Sequence, residues 1–189
     1  MKLTILGSGT HVPVKNRSNP AYLLDIDGET ILLDCGSGTL RQIAKAGRNE
    51  FEISKIFLSH SHIDHTMDLI PLFFTLKYQR SRPLKKSIKL FAHTKFQRHW
   101  QSLEAIYGKW IKSENQTCQY VPVLPDEVFC SNFKVESFAT AHSEDSLIFK
   151  FTDRENRSLV YSGDTSPTEE LIRAAYRADL LILECTIQR

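Results

Sequence analysis

Six consecutive residues, His60-Ser61-His62-Ile63-Asp64-His65, carry three imidazoles and a carboxylate. They follow directly on the apolar, β-branched run Ile53 to Leu58, which reads as a buried strand. The chemistry of the chain is therefore expected at a strand's C-terminal end. Alternate side chains of an extended segment point the same way, so His60 and His62 can grip one ion. Asp64 and His65 stand where the chain turns into a helix expected from about Thr66, and can face a second ion. An isolated histidine is more often structural than a ligand; three with an aspartate at this spacing reverse that reading. Imidazole nitrogen and carboxylate oxygen suit zinc at two such sites, with manganese or iron as alternatives.

A chain of 189 residues with 41% hydrophobic content can bury a substantial core, and one domain over residues 1–189 is expected. It has no Pro/Gly/Ser-rich tract, no low-complexity run and no repeat. The start is too short an apolar run for a signal peptide, and Leu69 to Leu76 is too short to cross a bilayer, so a cytoplasmic protein without membrane contact is expected. Cys35, Cys118, Cys130 and Cys185 show no C-x-x-C pairing and are expected to be buried thiols. The net charge of +2 is unevenly spread: Lys77 to Lys112 contains ten basic residues and one acid, a local +9. Lys77, Arg80 and Arg82 in this block are candidate contacts for a phosphate backbone, with Tyr78, Phe96, Trp100, Tyr107 and Trp110 interleaved. Helical spacing explains the same rings as core.

Along the chain, a strand at Lys2 to Leu6 runs into a glycine turn at Gly7-Ser8-Gly9-Thr10, with His11 expected on an exposed loop. Asp27-Gly28 between Ala21 to Ile26 and Thr30 to Leu33 signals a type I′ hairpin. Asp34 then either caps a helix from about Gly38 to Ala46 or bonds a ligand histidine from behind. After the hexapeptide comes a largely apolar helix with Phe73, Phe74 and Leu76 as core. A strand at Ile88 to Ala92 and a helix at Lys95 to Trp110 follow, with His93 and His99 structural or exposed. Further strands are expected at Gln119 to Val123, Glu127 to Cys130, Phe133 to Thr140, Leu147 to Phe151 and Ser158 to Ser162. A helix from about Pro167 to Tyr176, which Asp164 could cap, and a buried strand across Ala178 to Thr186 complete the reading.

The segment Phe57 to His65 resembles the H-x-H-x-D-H motif of metallo-β-lactamase fold hydrolases. Asp34-Cys35-Gly36-Ser37-Gly38-Thr39-Leu40-Arg41-Gln42 is similar to the D-C-G-E-G-T-x-R-Q stretch of the ribonuclease Z branch, with Ser37 in place of Glu. Ser162-Gly163-Asp164-Thr165 and Ala178 to Thr186 look like further segments of that branch. The resemblance implies an α/β fold, a four-layer αβ/βα sandwich of the metallo-β-lactamase type, short of its last helix and strand. It implies His60, His62 and His142 on one zinc, Asp64 and His65 on another, Asp164 bridging, and Asp34 and Glu184 behind them. Two departures stand out. Family members bring one more histidine to the second ion, but no histidine follows His142 here, so that ion is expected to bind more weakly and the chain to be most of a catalytic domain. Many bacterial ribonuclease Z enzymes insert a long arm between the segments matching His142 and Asp164, where this chain has only 21 residues.

The function expected is a metal-dependent hydrolase, a phosphodiesterase or endoribonuclease of the ribonuclease Z type acting in tRNA 3′ processing. An activated water between the ions would attack phosphorus, with Asp64 handling the proton. A small-molecule hydrolase acting on a cyclic phosphate, sulfate ester or thioester is the alternative that the absent arm favours. A non-catalytic metal- or nucleic-acid-binding remnant is the third reading. RNA or a small phosphodiester are the partners expected, and a homodimer is compatible with the sequence.

Overall fold

The computed structural model describes residues 1–78, 87–112 and 118–184. The chain opens with β1 (Lys2–Gly7), β2 (Ala21–Ile26) and β3 (Glu29–Leu33), an antiparallel meander. Asp27 and Gly28 take left-handed backbone, φ 46° and 82°, as a two-residue hairpin loop with the native strand twist requires. Helix α1 (Thr39–Lys45) carries the chain to β4 (Ile53–Phe57). Next come α2 (Ile63–Thr66), α3 (Leu69–Tyr78), β5 (Lys89–His93), α4 (Phe96–Ile111) and β6 (Gln119–Val123). Strands β3, β4, β5 and β6 are mutually parallel, so their C-terminal ends open on one edge of a six-stranded sheet.

The second half is antiparallel until its end: β7 (Val128–Cys130), β8 (Lys134–Ala139), β9 (Leu147–Thr152) and β10 (Ser158–Tyr161). Helix α5 (Glu169–Ala175) then returns the chain to β11 (Leu180–Ile182), parallel to β10. The second sheet runs β11-β10-β9-β8-β7, and β8 and β10 end on the same edge.

Alternation along the strands sorts the core into layers. Tyr22, Leu24 and Ile26 of β2, with Phe149 and Phe151 of β9, fill the space between the sheets, while Ala21 and Leu23 face the helices. Phe57 anchors the inter-sheet core, stacked on Phe91 at 4.4 Å and edge-on to Phe149 and Phe151. A separate cluster joins the first sheet to α1, α3 and α4, and a smaller one seats α5 on the second sheet. The order is helices, sheet, sheet, helix: a four-layer αβ/βα sandwich.

Several expectations are corrected. The helix after the hexapeptide starts at Ile63, not Thr66, so Asp64 and His65 lie on its first turn. Helix α5 is capped by Thr168, whose hydroxyl accepts from the Leu171 N–H, and not by Asp164. Phe74 is 45% exposed and leans on Tyr78 instead of the core. The last strand was expected to be buried, but β11 sits at the sheet's outer edge with Leu180 and Leu181 exposed, as is Leu183 beyond it. An apolar run of that length fits a strand covered on one face as well as a strand covered on both. Among the described residues, no helix is long and apolar enough to cross a membrane.

Candidate metal centre

The centre forms where the two sheet edges meet. Strand β4 ends at Phe57 and the chain continues through Ser59 and His60 to α2 at Ile63, with His62 exposed in the turn and His65 buried on the helix. The loop after β8 brings His142 from the other sheet, and the glycine turn after β10 brings Asp164. His62 Nδ1 stands 3.0 Å from His60 Nε2 and 3.0 Å from His142 Nε2. These three nitrogens form one group able to hold a cation; His60, His65 and Asp164 form a second that shares His60. Asp164 reaches toward both, with Oδ1 3.2 Å from His65 Nε2 and Oδ2 3.8 Å from His142 Nε2. Asp64 lies at the rim, its Oδ2 3.8 Å from His65 Nε2, and is not part of either tight group among the described residues.

Asp34 organises this centre from behind. Its backbone is left-handed, φ 53°, a conformation that Asp tolerates better than most residues, and its side chain is fully buried. The carboxylate accepts from the Ser59 N–H at 2.7 Å, the Ser59 hydroxyl at 2.7 Å, His65 Nδ1–H at 2.6 Å and the Tyr161 hydroxyl. The Ser59 hydroxyl, having given its proton to Asp34, accepts from His60 Nδ1–H at 2.9 Å. Both inner histidines are thus held with Nδ1 protonated and Nε2 aimed into the centre, the arrangement that metal-bound imidazoles use. Asp34 does not cap α1, whose N-cap, Gly38, makes no side-chain cap bond.

The electrostatics favour a cation. Burial pulls the His65 imidazole down, but Asp34 and Asp164 overcome it and raise its pKa to about 10. Burial, with His65 beside it, lowers His60 to about 4. Burial opposes ionisation of Asp164 too, yet His65 and its neighbours hold its carboxyl below the ordinary range. His65 Nε2 is nonetheless a buried nitrogen without a hydrogen-bond partner. Asp164 Oδ1 is near enough but poorly directed, so their attraction is one of charge. A divalent cation needs no such direction, and imidazole with carboxylate is a donor set that suits it. The residues present fit a metal ion.

Two glycines let the loops close. A Cβ on Gly36 would overlap the Asp64 carbonyl, and one on Gly163, at φ 55°, would strike Ser59 Cβ and Oγ. Glu184 Oε2 accepts from the Thr165 N–H at 2.9 Å and steadies the peptide next to Asp164. Of the candidate substrate contacts, Lys77 donates to the Lys109 carbonyl at 2.5 Å between α3 and α4, while Arg80 and Arg82 lie outside the described residues. Phe96 and Trp100 are core, whereas Tyr78, Tyr107 and Trp110 are partly exposed. His11 and His99 are exposed and His93 is buried. Ser59 and Tyr161 were missed in the sequence, although each immediately adjoins a candidate ligand segment at a strand end.

Two facing sheets with helices outside, carrying this His/Asp centre at their joined edges, define a metal-dependent hydrolase of the metallo-β-lactamase fold, ribonuclease Z-like in its relatives. The family model described as anti-Pycsar protein Apyc1 matches residues 1–189. The chain belongs to that family. Ribonuclease Z of Methanosarcina acetivorans is 27% identical over 225 residues, spanning 96% of this chain and 74% of the relative. Ribonuclease Z of Methanococcus maripaludis strain C6 is 31% identical, spanning 80% of this chain and about half, 48%, of the relative. Among solved structures, the short form of human tRNase Z superposes with a TM-score of 0.83 at 25% identity, covering 99% of this chain and 79% of that one. The metallo-β-lactamase fold protein YhfI from Bacillus subtilis gives 0.82 at 24% identity, covering 98% and 72%, and speaks for the fold.

Proposed function

We propose that this chain is a zinc-dependent phosphodiesterase whose substrate is a small cyclic phosphodiester of the nucleoside cyclic phosphate class. The observation that carries the reading is the open pair of cation-binding groups sharing His60, with Asp164 facing both. His60, His62 and His142 would hold one ion, and His65, Asp164 and Asp64 the other. Bound zinc supplies Lewis acidity toward a phosphoryl oxygen and lowers the pKa of water. Asp64, at the rim and one-fifth exposed, would take the proton from the attacking water. Asp34 keeps the inner imidazoles in one tautomer throughout.

The size of the substrate follows from what stands beside the centre. His142 and Asp164 are joined by the turn at 143–146 and the β9–β10 hairpin, closed by the turn at 153–157, which leaves no arm between them. A nucleoside cyclic phosphate keeps the ribose phosphodiester and requires none. Membership of the Apyc1 family, distinct in name from the ribonuclease Z relatives, agrees with a different substrate. Cleavage of RNA as a ribonuclease Z is the second reading, favoured by those relatives and by the basic block from Lys77 to Lys112.

The test is a competition among three substrates with the zinc-loaded full chain: bis(p-nitrophenyl) phosphate, nucleoside 3′,5′-cyclic phosphates and a 3′-extended tRNA precursor. The cyclic phosphate is expected to show the higher kcat/KM of the two natural classes; preference for the precursor would establish the second reading instead. His62→Ala is expected to reduce turnover roughly 10²- to 10³-fold or more, the scale of several kcal/mol of lost metal assistance, without unfolding the chain. Undiminished hydrolysis in that variant would refute the metal assignment.

A further inference from the structure

Tyr161 ends β10 and comes three residues before Asp164. Its ring is 3% exposed, in the layer between the sheets, with its centroid 5.3 Å from that of Tyr22 on β2. A phenol in such a place needs a partner for its hydroxyl. That partner is Asp34, which follows β3 in the other sheet. Burial, with Asp34 beside it, pushes this hydroxyl well above its ordinary pKa, so it remains a donor at any working pH. Of the bonds converging on Asp34, those from Ser59 and His65 come from the segment after β4, on the side of Asp34 itself. The bond from Tyr161 crosses from one sheet to the other.

The crossing matters because of what each end carries. On the first sheet, Asp34 holds His65 directly and His60 through Ser59. On the second, the chain leaves Tyr161 through Ser162 and Gly163 straight into Asp164. That turn is tied to its own sheet where the Ser162 N–H donates to the Ile182 carbonyl at 3.0 Å and the Thr140 hydroxyl donates to the Asp164 carbonyl at 3.2 Å. Gly163 also lies against Ser59 with no room for a Cβ, a contact that limits approach without fixing direction. The Tyr161 hydroxyl adds a directed bond from the root of this turn to the anion that orders the histidines. Buried hydrogen bonds of this kind orient ligands that they do not themselves supply.

We infer that Tyr161 is a positioning residue for the cation centre: its hydroxyl, bonded to Asp34 across the sheets, sets where Asp164 stands relative to His60 and His65 before any ion binds. The effect reaches both cation groups, since they share His60 and Asp164 faces both. The inference rests on the metal reading of the centre, and the experiment separates the two. Zn2+ and Co2+ affinities and the Co2+ absorption spectrum are measured for the parent chain, Tyr161→Phe and Phe133→Leu. Phe133 is buried between the same sheets but precedes β8, at the end away from the centre, so it reports what loosening the core alone does. Tyr161→Phe is expected to lose roughly 10- to 100-fold in affinity, the usual cost of removing a group behind a ligand, with an altered Co2+ spectrum. Phe133→Leu is expected to lower the melting temperature and leave affinity and spectrum unchanged. Placing 4-aminophenylalanine at position 161, which restores a donor there, is expected to recover most of the affinity. Unchanged affinity in Tyr161→Phe, an equal loss in Phe133→Leu, or no recovery with the amine would overturn the inference. If Tyr161→Phe does not fold, 4-fluorophenylalanine at the same position, which fills the hydroxyl's space without donating, is read by the same criteria. Absence of any cation binding by the parent chain would instead sink the metal reading.

Discussion

Asp34 concentrates more of the centre's order than any ligand does. Four donors converge on one buried carboxylate, so its replacement strands a serine, a histidine and a tyrosine at once. Asp34→Asn brings an amide N–H against at least one of these donors. Breaking one partner out of a buried charged network costs about 3–5 kcal/mol, and that loss is expected in urea unfolding of the variant, together with weaker cation binding. A variant as stable as the parent would show that the network contributes little. The sequence left Asp34 open between helix cap and ligand support, because a carboxylate before a glycine turn is common to both. What decided it was the left-handed backbone, which turns the side chain toward Ser59 and His65.

At the scale of elements, the β2–β3 hairpin is pinned by charge as well as by its turn. Arg48 donates to both carboxylate oxygens of Asp25, at 2.8 and 2.7 Å, and Thr30 adds a third bond at 2.8 Å. These bonds, with Arg48 first, hold the Asp25 carboxyl below its usual 3.8. A depressed folded-state pKa adds stability that is fully present above the unfolded value and is lost as pH falls through the folded one. Stability is therefore expected to decline as pH drops below about 4, and Asp25→Asn should flatten that part of the acid limb while lowering stability at neutral pH by about 1–3 kcal/mol. Identical acid limbs for the two proteins would exclude this role. The elements themselves were largely legible: alternation and turn residues located every strand but the last to within a residue, and of the run expected across Ala178 to Thr186 only Leu180–Ile182 is strand among the described residues, with Cys185 and Thr186 outside them. The start of α2 was not, because Ile63 looks no different from a loop residue until Asp64 and His65 are seen to continue the turn. Nor could β11's exposure be read, since its leucines carry no mark of what packs on them.

The whole molecule joins two sheets across a shared edge, and the ligands divide between them: His60, His62 and His65 come from one, His142 and Asp164 from the other. A bound cation is therefore a cross-link between halves of the fold, and its binding free energy becomes folding stability. Zinc at 100 times its Kd is expected to stabilise the native chain by about 2.7 kcal/mol. EDTA should reverse the gain, and His142→Ala should reduce it. A melting temperature indifferent to zinc and chelator would show that no ion spans the sheets.

The amino-acid sequence by itself determined the identity of the donors and the strand that ends in them, since imidazole spacing and strand alternation are local properties of neighbouring residues. It determined, too, that strands and helices intersperse as a layered α/β sandwich does. Only the tertiary structure decided that His142 and Asp164 meet His60, and that Asp34 serves the centre and not a helix. Each of these depends on two chain segments far apart in sequence arriving at one edge, and that meeting is fixed by how the sheets pack, which no local pattern encodes.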